Sequence, residues 1–264
     1  VSDRTDTELL RLKAALGEYS TRFDADLLES CSSTNSLLLE RATRGAPSGS
    51  VLWTLEQTAG RGRRGREWIS TAGDSLTFSL LWRFDSSISL DGLSLVAGLA
   101  VVDALSSFGV AGLALKWPND VWLDGRKLCG LLVELQQSGS RVGAVVGIGI
   151  NLRLPAEALR LDQPVAALGD ALSPPADAAE VLAAVLIRLA IRFERFASEG
   201  FAGQREDWLV RNGLAGQAVR LIEDDGETQG ICAGVDQDGA LLLRVGSSVR
   251  RVLGGDVSLR RAAR

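Results

Sequence analysis

Histidine is absent from all 264 residues. That absence removes the commonest general base, the usual zinc ligand and the imidazole-activated serine and cysteine nucleophiles together, so any chemistry must run on other groups. Cysteine is scarce as well. Cys31, Cys129 and Cys232 are far apart, odd in number and without CxxC spacing, which speaks against a disulfide framework and a thiolate metal site; they read as small buried apolar residues. Of 29 basic residues only Lys13, Lys116 and Lys127 are lysines, the other 26 being arginine. Where arginine has replaced nearly every lysine, a surviving one hints that a compact ammonium is needed rather than a planar fork. No run of eighteen apolar residues occurs, and Asp3, Arg4, Asp6, Glu8, Arg11 and Lys13 crowd the first stretch. Neither a membrane span nor a signal peptide is expected, and the expected location is cytoplasmic. A net charge of −4 lacks the basic face that binding along a nucleic acid requires, so no nucleic-acid partner is expected.

What is present suits a soluble globular chain with one large core and a small appendage: 46% hydrophobic and 23% charged residues. Leu9, Leu12 and Leu16 recur at helical spacing in residues 1 to about 22, one short helix and too little for a winged-helix DNA-binding domain. A second helix is expected from Thr34 or Asn35, either of which can cap it. Strands are expected over about 51–57, 75–84, 113–116, 128–135 and 142–150, and helices over 90–108, 178–199 and 204–210, with an irregular connection over 155–176. Short turns such as Asp124-Gly125 favour antiparallel pairing, so the class is α+β. From Gly216 onward, short strands split by Asp225-Gly226 and Asp238-Gly239 have the spacing of a small barrel. A boundary near residue 214 divides the chain into 1–213 and 214–264.

The most specific segment runs from Gln57 to Trp68 and places Arg61, Arg63, Arg64 and Arg66 among Gly60, Gly62 and Gly65. It formally contains GxGxxG, yet it leads into Ser70, Thr71, Gly73 and a strand, whereas a dinucleotide fingerprint opens a helix. No GK[ST] occurs, which excludes a Walker A loop. Glycines admit an anion to backbone N–H groups and arginines grip phosphate oxygens, so a phosphate-bearing ligand explains the loop better than a solvated basic turn; such a loop should order over its ligand. A second segment runs from Lys116 through Pro118, Asn119 and Asp120 to Lys127. A carboxylate near a lysine can hold a metal-bound triphosphate while the ammonium meets charge developing at phosphorus. Gly147 and Gly149 alternate in a strand ending at Asn151, leaving one face bare for a flat ligand tail or for close packing. Ser32, Ser33, Thr34 and Asn35 supply small polar groups at a helix start.

In this order and spacing, Ser-Thr-Asn at 33–35, GRGRRGR ending in Trp at 60–68, KWPND at 116–120, Lys-Leu-Cys-Gly at 127–130 and G-x-G-x-N at 147–151 resemble the catalytic domain of biotin protein ligases. Gly255-Asp256-Val257-Ser258-Leu259-Arg260 resembles the end of that family's SH3-like C-terminal barrel. The resemblance implies a mixed, largely antiparallel sheet with helices, of the class II aminoacyl-tRNA synthetase and biotin ligase kind, followed by the barrel. It implies ATP and Mg2+ as cofactors, biotin as substrate, and the biotin carboxyl carrier domain of an acyl-CoA carboxylase as acceptor. Biotin would be bound by Ser33, Thr34, Asn35, Gln57, Gly60 and Arg61, with Gly147 and Gly149 leaving room for its valeryl chain. Arg63, Arg66, Trp68, Asn119, Asp120 and Asn151 would surround ATP, with Asp120 toward the metal. Lys127 would touch both the biotin carboxylate and the α-phosphate, and Lys127 and Arg63 would be catalytic. Glu67 and Cys129 depart from the family's commoner residues without threatening it. Without a winged helix the chain is expected to be a ligase alone. A lipoate or octanoate ligase of the same superfamily is the nearest rival, which the arginine loop and the KWPND turn disfavour; a non-catalytic biotin sensor would leave these residues without purpose.

Overall fold

Among the described residues all pairings between strands but one are antiparallel, as the short turns predict, and the exception places the site. The computed structural model describes residues 3–154, 163–223, 226–253 and 258–261. Its first helix, α1, covers Asp3–Leu16 and passes through a 3-10 turn, Gly17–Arg22, into strand β1, Asp24–Cys31. Helix α2 (Thr34–Thr43) then leads to β2 (Ser50–Gln57), which lies parallel to β1 with Cys31 beside Gln57. The chain continues through β3 (Ser75–Asp85), α3 (Leu93–Ser107), β4 (Leu113–Lys116), β5 (Asp120–Leu123), β6 (Arg126–Ser138) and β7 (Arg141–Asn151). These strands form one seven-stranded sheet in the order β1-β2-β3-β7-β6-β5-β4. Helices α4 (Ala178–Glu199) and α5 (Arg205–Val210) follow, then β8 (Ala218–Glu223), β9 (Gly226–Val235), β10 (Leu241–Val245), β11 (Ser248–Val252) and β12 (Ser258–Arg261). The last five form an antiparallel sheet, β11-β10-β9-β8-β12. The α+β class and a small C-terminal β unit are as expected.

Two strands escape the sequence reading. β1 is an edge strand in which only Leu27 is fully buried, so no apolar alternation marks it. β5 is four residues squeezed between the Asn119-Asp120 and Asp124-Gly125 turns. The second of these has φ 50 at Asp124 and 76 at Gly125, the positive pair that a tight two-residue hairpin requires. The cap of α2 also differs from expectation: it is Ser33, whose hydroxyl accepts from the Ser36 N–H, so Thr34 and Asn35 fall in the first turn. The 155–162 part of the expected irregular connection, Asp225, and the Gly255-Asp256-Val257 motif lie outside the described residues.

Each central strand of the large sheet divides its side chains between two environments. Leu76, Phe78 and Leu80 of β3 and Val146, Ile148 and Ile150 of β7 join α1, α3 and α4 in the main core. The alternate positions face α2, where Leu81 and Val145 meet Leu38 and Ala42 in a smaller cluster. Along that face lie Ser75, Thr77 and Ser79 on β3, Gly147 and Gly149 on β7, and Gly130 on β6: small groups, because something other than core is to lie on them. The main core runs on into the smaller sheet through Val219, Leu221, Val235 and Leu241, and the Trp117 indole donates to Gly239 O at 3.0 Å.

Behind the sheet, Arg192 of α4 ties three helices together. It donates to Asp103 of α3 at 2.6 and 2.8 Å, to Asp207 of α5 at 2.6 Å and to Gln204 at 3.0 Å. The hydrogen bond from Arg192 holds the Asp207 carboxyl below its ordinary pKa. Arg192→Met removes the charged hydrogen bonds that join the three helices and leaves Asp103 to Arg211 at 3.1 Å and the partly exposed Asp207 to Arg195 at 3.6 Å, and the expected cost is about 2 kcal/mol in chemical denaturation.

Candidate active site

Because β1 and β2 run parallel, both end at the same edge of the fold, and the start of α2 is delivered beside Gln57. Thr34 N–H donates to Gln57 Oε1 at 2.8 Å, and Thr34 Oγ1 lies 3.2 Å from the same oxygen. Ser79 Oγ sits 2.7 Å from Thr34 Oγ1 and 2.5 Å from Asn35 Oδ1. The Asn35 amide donates to Leu132 O at 3.1 Å and to Glu134 Oε2 at 2.9 Å, and Arg61 also donates to that carboxylate oxygen at 2.7 Å. The result is a buried, pre-oriented polar pocket at one end of a cavity of about 350 Å³.

The floor is the glycine face. A Cβ on Gly149 would come within 2.3 Å of the Trp68 indole, one on Gly147 within 2.2 Å of Asn35 Oδ1, and one on Gly130 within 3.1 Å of Trp68. The arginine-glycine segment, expected as loop, closes as a short hairpin: Trp68 N–H donates to Gly60 O at 3.0 Å and Gly62 N–H to Arg66 O at 2.7 Å. Arg64 and Gly65, both at positive φ, form its tip. This hairpin lays the indole on the floor, and the buried Trp68 Nε1 has no hydrogen-bond partner.

At the other end stand the charges. Asp120 is buried between two ammonium groups, its Oδ1 2.8 Å from Lys127 Nζ and its Oδ2 3.3 Å from Lys116 Nζ. Burial alone would raise its pKa, but the two lysines reverse the sign and hold it low. Lys116 is lowered, first by desolvation and then by Lys127 and Arg260, against the pull of Asp120. Lys127 Nζ also lies 5.7 Å over the Trp68 ring. Its backbone is clamped: Lys127 N–H donates to Pro164 O at 2.9 Å and Lys127 O accepts from Ala166 N–H at 2.9 Å. The Asn151 amide donates to Lys127 O at 3.4 Å and Ala166 O at 3.0 Å. Asn119 donates to Leu131 O at 2.6 Å, and its Oδ1 lies 3.5 Å from an Arg63 nitrogen. Buried Cys129, next to Lys127, has its thiol pKa pushed far up by desolvation, which keeps it an inert core group.

The cavity is lined by Ser33, Thr34, Asn35, Gln57, Arg61, Arg63, Arg66, Trp68, Asn119, Lys127, Gly147, Gly149 and Asn151. Thirteen residues singled out from four distant segments thus share one space. Gly60 and Asp120 do not line it. Gly60 has no room for a side chain, with Trp68 O 2.3 Å and Gln57 Nε2 2.8 Å from where a Cβ would be. Asp120, expected toward a metal, has both oxygens engaged by lysines, and among the described residues no cluster of three or more acidic, thiol or imidazole groups forms a metal site. Sequence reasoning missed Glu134, Ser79 and Arg260. Glu134 had a signal, a carboxylate inside the apolar run Leu131–Leu135 two alternations from Gly130; Arg260 reaches the cavity from β12 and had none.

A polar pocket and a lysine-arginine cluster at opposite ends of a bare floor suit a molecule with a compact polar head, an apolar stem and an anionic end. Residues 27–151 match the biotin/lipoate A/B protein ligase family, and 215–260 match the biotin protein ligase C-terminal domain. The biotin--[acetyl-CoA-carboxylase] ligase of Paracoccus denitrificans is 38% identical over 238 residues, covering 86% of this chain and 96% of that protein. The chain belongs to the biotin protein ligase family. The bifunctional ligase/repressor BirA of Escherichia coli K12 is 37% identical to this ligase over 97% of its length and 79% of BirA's. The solved biotin protein ligase of Aquifex aeolicus, in complex with biotin and ATP, superposes on the ligase with a TM-score of 0.78 at 31% identity, covering 90% of this chain and 99% of that one.

Gly147→Ala drives a methyl group into Asn35 and breaks its bonds to Leu132, Glu134 and Ser79. A loss of about 2 kcal/mol in thermal melting is expected.

Proposed function

We propose that this cleft joins biotin to ATP and then passes biotin to a lysine of the biotin carboxyl carrier domain of an acyl-CoA carboxylase. The observation that carries the reading is the length and polarity of the cleft in a biotin ligase-family chain: a hydrogen-bonding pocket at one end, Lys127 at the other, and a floor without side chains between.

In the first step the biotin carboxylate attacks the α-phosphorus of ATP, an oxygen–phosphorus bond forms, and pyrophosphate leaves to give biotinyl-5'-adenylate. Ser33, Thr34, Gln57 and Arg61 hold the ureido head, with Asn35 and Glu134 orienting Arg61. The valeryl chain lies along Gly147 and Gly149, so Trp68 must shift from Gly149 and is then placed to pack on the adenine. Lys127 and Arg63 meet the charge that develops between carboxylate and phosphate, where a fixed cation lowers the barrier most. Arg66 and Asn119 take the remaining phosphate oxygens, and Asn151 keeps Lys127 in place through its backbone. Magnesium would offset phosphate charge; Asp120, expected toward it, is engaged by Lys116 and Lys127 in this structure, so no step is routed through the metal. In the second step the acceptor lysine amine attacks the acyl carbon of the anhydride, AMP leaves and an amide remains; the hairpin over the cleft limits water. No step asks for histidine.

Residues 1–213 form the catalytic unit in this reading and 214–264 the C-terminal one. Among the described residues no helix is long and apolar enough to cross a membrane, and the reading sets the enzyme in the cytoplasm with its carboxylase. Exchange of labelled pyrophosphate into ATP is expected only when biotin is added, and exchange supported by lipoate or octanoate alone contradicts the substrate. Lys127→Ala is expected to keep its melting temperature within a few degrees and to lower exchange at least about a hundredfold.

A further inference from the structure

Three charged groups lie under the reacting end of the cleft, and only one of them faces it. Lys127 lines the cavity, whereas Lys116 and Asp120 do not. Lys127 sits 2.8 Å from Asp120 Oδ1, so its ammonium must loosen this contact to meet a substrate carboxylate or phosphate. Asp120 is only 8% exposed, and a buried carboxylate deprived of its counter-ion is strongly destabilising. Left with Lys127 alone, it would hold that lysine back.

The second lysine removes the difficulty. Lys116, also 8% exposed, projects from β4 directly across the β4–β5 pair to the other carboxylate oxygen. Its ammonium packs 5.4 Å from the ring centroid of Trp122, which like Lys116 does not line the cavity. The charges facing it are Asp120, Lys127 and Arg260, the last two repulsive. We infer that Lys116 is a positioning residue: it is the standing counter-ion of Asp120, and by keeping that carboxylate neutralised it frees Lys127 to transfer its ammonium to the reacting groups. This explains why, in a chain with three lysines, two face one carboxylate. The inference rests on the proposed reading of Lys127, and the test separates the two.

Biotin-dependent pyrophosphate exchange is measured with the full chain as wild type, K116M, D120N and K116M/D120N, each with a thermal melt. K116M is expected to lose at least about fivefold in exchange, mainly in kcat, with KM for biotin within about twofold because the ureido contacts are at the far end of the cleft. With Asp120 neutral there is no anion to hold, so the double variant is expected within about threefold of D120N. A smaller loss in K116M, a loss confined to KM, or a full second loss on top of D120N overturns the inference. Should K116M not fold, D120N against the double variant decides by the same threefold limit, since neither buries an unpaired carboxylate. A wild-type chain that shows no biotin-dependent exchange overturns the proposed function instead.

Discussion

The alternation of side chains along β3, β7 and β6 is the constraint on which the rest depends. A strand places successive residues on opposite faces, and in these three strands one face is filled with Leu, Ile, Val and Phe while the other carries Ser, Thr and Gly along the cleft floor, with Leu81 and Val145 only where α2 covers it and Leu132 and Glu134 beside Asn35. The first face is pressed on α1, α3 and α4 and supplies the main core. The second is left nearly flat along the cleft, and among the described residues no helix covers it beyond the short α2. A slip of one residue in any of the three would put core side chains into the cleft and glycines into the core. Register is therefore the most strongly specified property of the sheet, and the cleft follows from it.

On this flat face the two ends are built by different means. The polar pocket is local in origin: one parallel strand pair brings the first turn of α2 to Gln57, and hydrogen bonds among Thr34, Asn35, Ser79 and Glu134 fix the rest. The charged end is assembled from three strands and a connecting segment, with two lysines around one aspartate and the Lys127 backbone tied to Pro164, Ala166 and Asn151. One end fixes hydrogen-bond donors and acceptors in place, the Arg61–Glu134 pair among them; the other gathers two ammonium groups around a single buried carboxylate. The pocket is thus fixed in place, whereas two contacts at the other end, Trp68 on Gly149 and Lys127 on Asp120, have to give way before the cleft can be filled.

Much of this is legible in the chain itself, and the reasons for the gaps are specific. Helices α3 and α4 and strands β3, β6 and β7 have long, clean periodicities, so their places are plain. The site residues at 60–68, 116–120 and 147–151 stand out because arginine, glycine and lysine cluster there, whereas Ser33, Thr34 and Asn35 read as an ordinary helix start until the other segments are set beside them. β1 is hidden because an edge strand needs little burial, and β5 because turns bracket it. Ser33 rather than Thr34 caps α2, a one-residue difference that decides which side chains point into the cleft and which sequence pattern alone does not resolve. Glu134 and Ser79 look like ordinary strand residues until the register sets them beside Asn35. The pairing of Asp120 with two lysines is likewise a product of β4, β5 and β6 lying side by side.

Arg260 comes late in the chain. It belongs to β12, which pairs with β8, and it shares the cavity wall with Ser33, more than two hundred positions earlier. The small sheet is joined to the large one by a common core and by the Trp117–Gly239 bond. During synthesis the cavity is therefore incomplete until β12 has emerged from the ribosome, even though most residues that line it are made long before. Proteolytic trimming that reached β12 would likewise act on the cavity wall itself, so a strand remote along the chain is among the parts that shape the cleft.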